Sequence, residues 1–362
     1  MNKVYTILLA VLALLSGASC TLDEEPVSQG CITLTLSTSA VETKAGNGNP
    51  ADGGGILVNN AGAPDLVIAI VDRDDNIVAW YPENYGSVAG GTSYESSCSS
   101  SHTASTPTTE SIIVFSGLVR GNYTVFAVAN TVGLSAVGSP ALSSATTLTD
   151  LQNLLLSVAS GTPTFPGAMP LSASGTLVVT GNSGHESGQI ELNLKRVVAR
   201  VSMIFKNLTE SALNLDNCTV TLHTINPSKG YLFERATDYV SGYDRDLQWP
   251  ATNITVPVVD LQDPESVNTY PLASMLVFPS TAPLQPTGRR YVCDISFAIG
   301  EENHSFSDLP VYDRRSADIL ALCRNQDLII ETTISQKGDV QDISFNFVLS
   351  GWENKQEYVF FH

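Results

Sequence analysis

The chain has 362 residues, only 15% of them charged, and its 36 acidic residues against 18 Lys and Arg give a formal net charge of −18. A surface that negative repels a phosphate backbone, which argues against nucleic acid as a partner; the acidity is read as a source of solubility. The length suits two domains better than one, and a composition rich in Ser, Thr, Gly, Asn and Val with few charges suits an extracellular β-protein.

Residues 1–20 have the layout of a signal peptide. Lys3 and the amino terminus form a positive start, and residues 4–15 form an apolar run too short to anchor in a bilayer. Ser16-Gly17-Ala18-Ser19-Cys20 follows. This resembles a bacterial lipoprotein signal, in which the cysteine, here Cys20, is acylated and becomes the new N-terminus. Gly17 stands where leucine is usual, and ordinary secretion with cleavage nearby is the alternative. Acyl chains on Cys20 would hold the protein on the outer membrane. The cluster Asp23, Glu24 and Glu25 resembles the surface-export signal of Bacteroidales lipoproteins and equally serves as a solvated tether.

Residues 31–39 (CITLTLSTS) alternate, with Ile32, Leu34 and Leu36 on one face and Thr33 and Thr35 on the other, the period of a strand. Val41-Glu42-Thr43-Lys44-Ala45 leads into the glycine-rich 46–55 (GNGNPADGGG), which reads as exposed linker. Exposed linkers are where proteases cut. Residues 66–80 (LVIAIVDRDDNIVAW) form a hairpin turning at Asp74-Asp75-Asn76. Asp72, Asp74 and Asn76 have calcium-ligand spacing, but Ile77 stands where a calcium loop needs glycine and no glutamate closes it, so a turn is the reading preferred. Residues 86–110 read as a Ser/Thr/Gly loop. Strands are expected at 111–115, Tyr123–Val128 and 171–180. A helix is expected over 147–159, capped by Thr149 or Asp150, with Leu151, Leu154, Leu155 and Val158 as its stripe; two prolines in 162–169 end it.

The polar break at 180–189 precedes the longest apolar run, 192–205 (LNLKRVVARVSMIF). Its valines favour a strand. The alternation changes phase near Lys195: Ile190, Leu192 and Leu194 share one face, then Val197, Ala199, Val201, Met203 and Phe205 share another. One extra residue does this, which predicts a bulge or a strand bending between two sheets. A helical stripe of Leu194, Val197, Val198 and Val201 is the alternative. The run is read as the first long strand of a second domain, giving a tether, strand and linker over 21–55 and domains at 56–188 and 189–362. Further strands are expected at 218–225, 254–259, 272–278, 291–299, 328–335, 343–349 and 358–361, with a helical turn at 316–323 and a polar insertion at 226–248. Short strands bounded by Gly, Pro and Asn predict an all-β protein of two sandwiches.

Chemistry is sparse. None of the six cysteines makes a C-x-x-C pair with another, so a zinc or thioredoxin-like reading has no support. With Cys20 lipidated, five remain, leaving at least one free thiol; Cys218, Cys293 and Cys323 sit in apolar contexts that suit core packing, and sequence does not decide disulfide pairing. The five histidines show no ligand spacing, and G-x-S-x-G, H-E-x-x-H and P-loop motifs are missing. Glu186 could pair in space with another carboxylate, but nothing supports it. No enzyme activity, cofactor or metal is expected.

Several segments together resemble the fimbrillin family of Bacteroidales type V pilus subunits and their accessory anchor and tip proteins. They are the lipoprotein start, LVIAIVDRDDNIV, GLVRGNYTVFAVANT at 117–131, LKRVVARVSMIF at 194–205, RNQDLIIETTIS at 324–335 and the terminal SGW at 350–352. The resemblance implies two transthyretin-like β-sandwich domains and assembly by strand exchange. A trypsin-like protease removes the lipidated N-terminal segment, and the vacated groove accepts a strand from a neighbouring fimbrial subunit. The cut would fall at Lys44, although the family usually presents arginine; the candidate donor strand is Tyr358, Val359, Phe360 and Phe361. In an anchor the first strand would stay in place. The second reading is a surface lipoprotein that binds host glycan or protein, with Tyr231, Phe233, Tyr239, Tyr243 and Trp249 available to stack on sugar rings, although aromatics in such an insertion more often anchor a core or loop.

Overall fold

The structure, a computed structural model, describes residues 31–38, 56, 65–88, 96–98, 110–137, 142–165, 168–182, 185–236, 239–242, 244–259, 269–286, 288–313, 317–337 and 340–351. The first unit holds β1 (Cys31–Thr38), β2 (Leu66–Val71), β3 (Ile77–Tyr81), β4 (Ser96–Cys98), β5 (Glu110–Ser116), β6 (Gly121–Ala129), β7 (Leu155–Ser157), β8 (Leu171–Val179) and β9 (Gly188–Arg196), with a short helix α1 (Leu148–Gln152). The second holds β10 (Ala199–Leu208), β11 (Leu213–Leu222), β12 (Lys229–Tyr231), β13 (Leu247–Val256), β14 (Thr269–Pro271), β15 (Met275–Val277), β16 (Ser280–Thr281), β17 (Leu284–Gln285), β18 (Gly288–Arg289), β19 (Tyr291–Ile299), β20 (Glu302–Asp313), β21 (Ala317–Asp318), β22 (Ala321–Leu322), β23 (Gln326–Lys337) and β24 (Val340–Gly351). The fold is all-β, as the alternating patterns predict.

Alternation places one side of each strand in a core. In the first unit the order is β3-β2-β6-β8-β9-β1-β5-β4. Within their strand spans, β8 and β9 pair only at Leu171–Arg196 and Ser172–Lys195. The sheet therefore turns a corner there, and its two halves enclose a core that includes Ile32, Leu34, Leu36, Ile68, Phe115, Val125 and Leu177. The second unit repeats the device in the order β13-β11-β19-β20-β24-β23-β10-β14, with β20 and β24 paired at Asp313–Phe347 alone.

The phase change near Lys195 is the passage between units. β9 ends at Arg196, Val197 and Val198 turn, and β10 starts at Ala199. β9 is a strand of the first sheet, so the crossing lies one strand later than a division after residue 188. Periodicity reveals the break but not the partner of each half. A third core fills the joint. It takes Val67, Ala69 and Val71 from the outer face of β2, Val197 and Val198 from the crossing, and Leu232, Phe233 and Phe278 from the second unit. Phe126 and Phe233 meet edge to face, with centroids 4.8 Å apart. β7 and β12 pair antiparallel across the joint. Buried Arg324 donates to Ser172 Oγ at 3.0 Å and to the carbonyls of Leu232 and Tyr231, each at 3.2 Å. Arg196 donates to Asn325 Oδ1 at 2.8 Å. Burial of the Arg324 guanidinium is tolerable because both of its Nη groups meet acceptors.

Two local expectations are corrected. The helix expected over 147–159 stops at Gln152, and its cap is Thr147, whose hydroxyl accepts from Asp150 N–H while the Asp150 carboxylate accepts from Thr147 N–H. Leu155 and Leu156 leave the helix because β12 offers them a ladder. The helical turn expected at 316–323 is instead the two short strands β21 and β22, which pair with β20 and β16.

At one end of the second unit, His223 lies between two carboxylates. Its Nδ1 is 3.1 Å from Asp246 Oδ2 and its Nε2 is 3.0 Å from Asp294 Oδ2. Asp246 also accepts from Thr224 N–H, and Asp294 from Asp308 N–H. The hydrogen bond to Asp294, then that to Asp246, holds the imidazole above its ordinary value against the lowering effect of burial. A raised folded-state value stabilises the fold below the unfolded imidazole value of about 6.5, and the contribution is lost as pH rises through the raised value. Urea midpoints of the wild type should therefore fall as pH climbs above about 6.5, and His223→Gln should lack that component; equal pH profiles would refute it. Phe233→Ala should lower unfolding free energy by about 3–5 kcal/mol in the same assay, and a loss below about 1 kcal/mol would show that the joint is not a packed core.

Candidate functional site: the slot held by the first strand

The earliest described strand does not lie at an edge. β1 sits between β9 and β5, deep in the sequence of neighbours that forms the first sheet. Against β9 it runs parallel, with Ile32 opposite Gly188, Leu34 opposite Ile190 and Leu36 opposite Leu192. Against β5 it runs antiparallel, with the same three residues opposite Phe115, Ile113 and Ser111. Ile32, Leu34 and Leu36 are each 0% exposed. Burial of such side chains contributes about 1.5–3 kcal/mol apiece. Both ladder edges of β1 are occupied, so β9 and β5 are held in one sheet only through it.

The walls are tight. A Cβ added at Gly175 on β8 would lie 2.7 Å from Leu192 Cδ2 and 3.1 Å from Ile190 Cδ1, so these two side chains already rest on the β8 backbone. A Cβ at Gly188 would lie 3.0 Å from the Val178 carbonyl oxygen and 3.2 Å from Leu177 Cδ1. At the far end, Ser111 is 2% exposed and its Oγ has no hydrogen-bond partner among the described residues.

The comparisons agree with this architecture. The family model for fimbrillin-A associated anchor proteins Mfa1 and Mfa2 matches residues 90–358. The chain belongs to that fimbrial family. No curated protein matches the sequence. Among solved structures, a proposed cell adhesion protein from Parabacteroides distasonis aligns at TM-score 0.50 and 13% identity over 90% of this chain and 98% of its own. A fimbrilin from Porphyromonas gingivalis aligns at TM-score 0.50 and 10% identity over 90% and 98% of the two chains. At these identities the structures establish the shared fold, and the family match makes this a fimbrial protein of the cell surface.

For this fimbrial family member the structure also places the other sequence candidates. Cys20, Lys44 and the segment Tyr358, Val359, Phe360 and Phe361 lie outside the described residues. The Asp72–Asn76 hairpin is a turn: Asp72 Oδ1 accepts from the N–H groups of Asp74 and Asn76 at 2.9 and 3.0 Å. Trp249 is 4% exposed and donates its Nε1 to the Ala273 carbonyl at 2.8 Å, and Phe233 lies in the joint core. Neither presents a face to a sugar. Tyr231 has the Arg235 guanidinium 4.5 Å from its ring centroid, Tyr239 is half-buried, and Tyr243 is outside the described residues. Cys218 and Cys293 are buried thiols pushed up to about 12 by burial, as unreactive core residues should be. Cys323 is exposed, contrary to its expected core position. The slot itself was the feature that sequence could not supply, because alternation in 31–39 identifies a strand but not its neighbours.

Leu34→Ala should cost about 2–5 kcal/mol through the cavity it leaves. Ser111→Ala, which removes a buried hydroxyl that has no partner among the described residues, should leave stability unchanged or raise it by about 1 kcal/mol. Denaturant titration of the two variants tests both, and the reverse order would contradict the packing described.

Proposed function

We propose that this protein is a structural or accessory subunit of a surface fimbria that assembles by exchange of its first strand. The observation that carries this reading is the position of β1, a strand paired on both ladders; the glycine-rich sequence that follows it reads as an exposed linker. In this reading the chain is exported as a lipoprotein acylated at Cys20, and a trypsin-like protease cleaves at Lys44, beyond the end of β1. Departure of β1 would leave two unpaired strand edges and three empty apolar positions, a combination that only another extended strand restores. The neighbouring fimbrial subunit supplies that strand. The segment containing Tyr358, Val359, Phe360 and Phe361 is the donor this chain offers to the next position, and the assembled fimbria serves adhesion. The glycan-binding alternative loses its strongest candidates, because Trp249 and Phe233 are buried.

Limited trypsin digestion with intact-mass readout and electron microscopy tests this. A first cut at Lys44 followed by rods or higher oligomers is the expected result. Resistance at Lys44 with a chain that stays monomeric would overturn strand exchange at this site.

A further inference from the structure

The second unit holds the first with an arm, and a histidine sits at the root of that arm. The chain leaves the second unit at Asn226 and returns at Arg245, and these two residues exchange both backbone hydrogen bonds, at 2.9 and 3.2 Å. Between them, β12 pairs with β7 of the first unit and Phe233 enters the joint core. Glu234 forms an ion pair with Lys195, and Arg235 donates to Asn153 Oδ1. The root also touches the first unit directly. Asn226 Nδ2 and Arg245 Nη2 both donate to the carbonyl of Gly161, between β7 and β8, at 3.2 and 2.9 Å. Asp246, next in the chain, is one of the two carboxylates that hold His223. We propose that His223 is a pH-sensitive clasp on this arm: as imidazolium it ties Asp246 to Asp294 and keeps the root closed, and as neutral imidazole it lets Asp246 go, which loosens the hold of the second unit on the first.

The geometry requires two donors on the ring. Nδ1 lies 3.1 Å from Asp246 Oδ2 and Nε2 lies 3.0 Å from Asp294 Oδ2, and an ionised carboxylate only accepts. Neutral imidazole has a single N–H, so loss of the proton leaves a nitrogen lone pair against one carboxylate. Asp294 is the better held of the two. It lies on β19, between β11 and β20 in the sheet, and its Oδ1 accepts from Asp308 N–H at 2.8 Å. Asp246 precedes β13, at the end of the same sheet, so the contact that opens is the one to the arm. The charged groups acting on the ring are these two carboxylates; Asp308 on β20 and Asp244 and Arg245 on the returning arm stand beside them in the chain or the ladder. The bond to Asp294 leads in holding the imidazole above its ordinary value, with that to Asp246 adding to it against the lowering effect of burial. The clasp is therefore closed in acid and opens as pH rises through the raised value. Movement at Asp246 reaches Gly161 through the adjoining residue, Arg245.

Amide hydrogen exchange of the full chain, read residue by residue at about pH 5 and about pH 8, on either side of the ordinary imidazole range, and corrected for intrinsic rates, tests this. Asn226 and Arg245 report on the root, and Val158 and Leu232, which donate to Ser228 and Leu154, report on the joint. Thr180 and Ser187, bonded to each other on the turn between β8 and β9, serve as the reference. The expected result is a loss of protection of about threefold at the four root and joint amides on going to the higher pH, the scale of one partly exposed ion pair, with the reference pair unchanged. Asp246→Asn, which leaves the pair of His223 with Asp294 in place, should show the lower protection at both pH values. Unchanged protection at the root, a loss at Asn226 and Arg245 with none at Val158 and Leu232, or an equal loss at the reference pair would each overturn the clasp. So would an Asp246→Asn protein that keeps the wild-type pH dependence. The wild-type comparison decides the matter even where the variant does not fold.

Discussion

The first sheet depends on β1 holding β9 and β5 together. Each of those strands spends a ladder edge on β1, and the three side chains that β1 points inward are buried completely. Strand pairing and apolar burial are therefore concentrated in the earliest described strand, which precedes a glycine-rich stretch of sequence. Without it, the backbone groups of β9 and β5 that pair with it would need new partners.

The slot is also tied directly to the second unit. β9, which forms one wall, runs through Val197 and Val198 into β10, the strand that pairs parallel with β23 at the heart of the second sheet. Around that crossing lie the joint core, the β7–β12 pair and the buried guanidinium of Arg324. β9 thus continues as backbone into β10, and the joint core packs the two units against each other.

Much of this was legible in the sequence where one face of a strand meets water and the other a core. Ile32, Leu34 and Leu36, or the run Tyr291–Ile299, announce themselves by period two. β20 did not: HSFSDLP is polar and carries Pro310, and Asp308 has φ of 56° at the bulge opposite Asp294, so its ladder is invisible to a periodicity argument. The leucines at 151–155 satisfy a helical stripe and a strand equally, and the choice was made by β12, some seventy residues away in sequence. The same limit applies to the slot. Alternation finds β1, the phase change at Lys195 finds the crossing, but the parallel pairing of β1 with β9 is a long-range contact without a local signal. Among the aromatic residues of the 226–249 region, Phe233 and Trp249 are buried, the commoner fate of aromatic side chains in such an insertion.

The most direct test is the structure of the assembled fimbria, resolved well enough to trace the strand between β9 and β5. The account predicts a segment from a neighbouring chain in that place, with apolar side chains at the positions of Ile32, Leu34 and Leu36. Finding residues 31–38 of the same chain still in that place at every position of the fibre would contradict it.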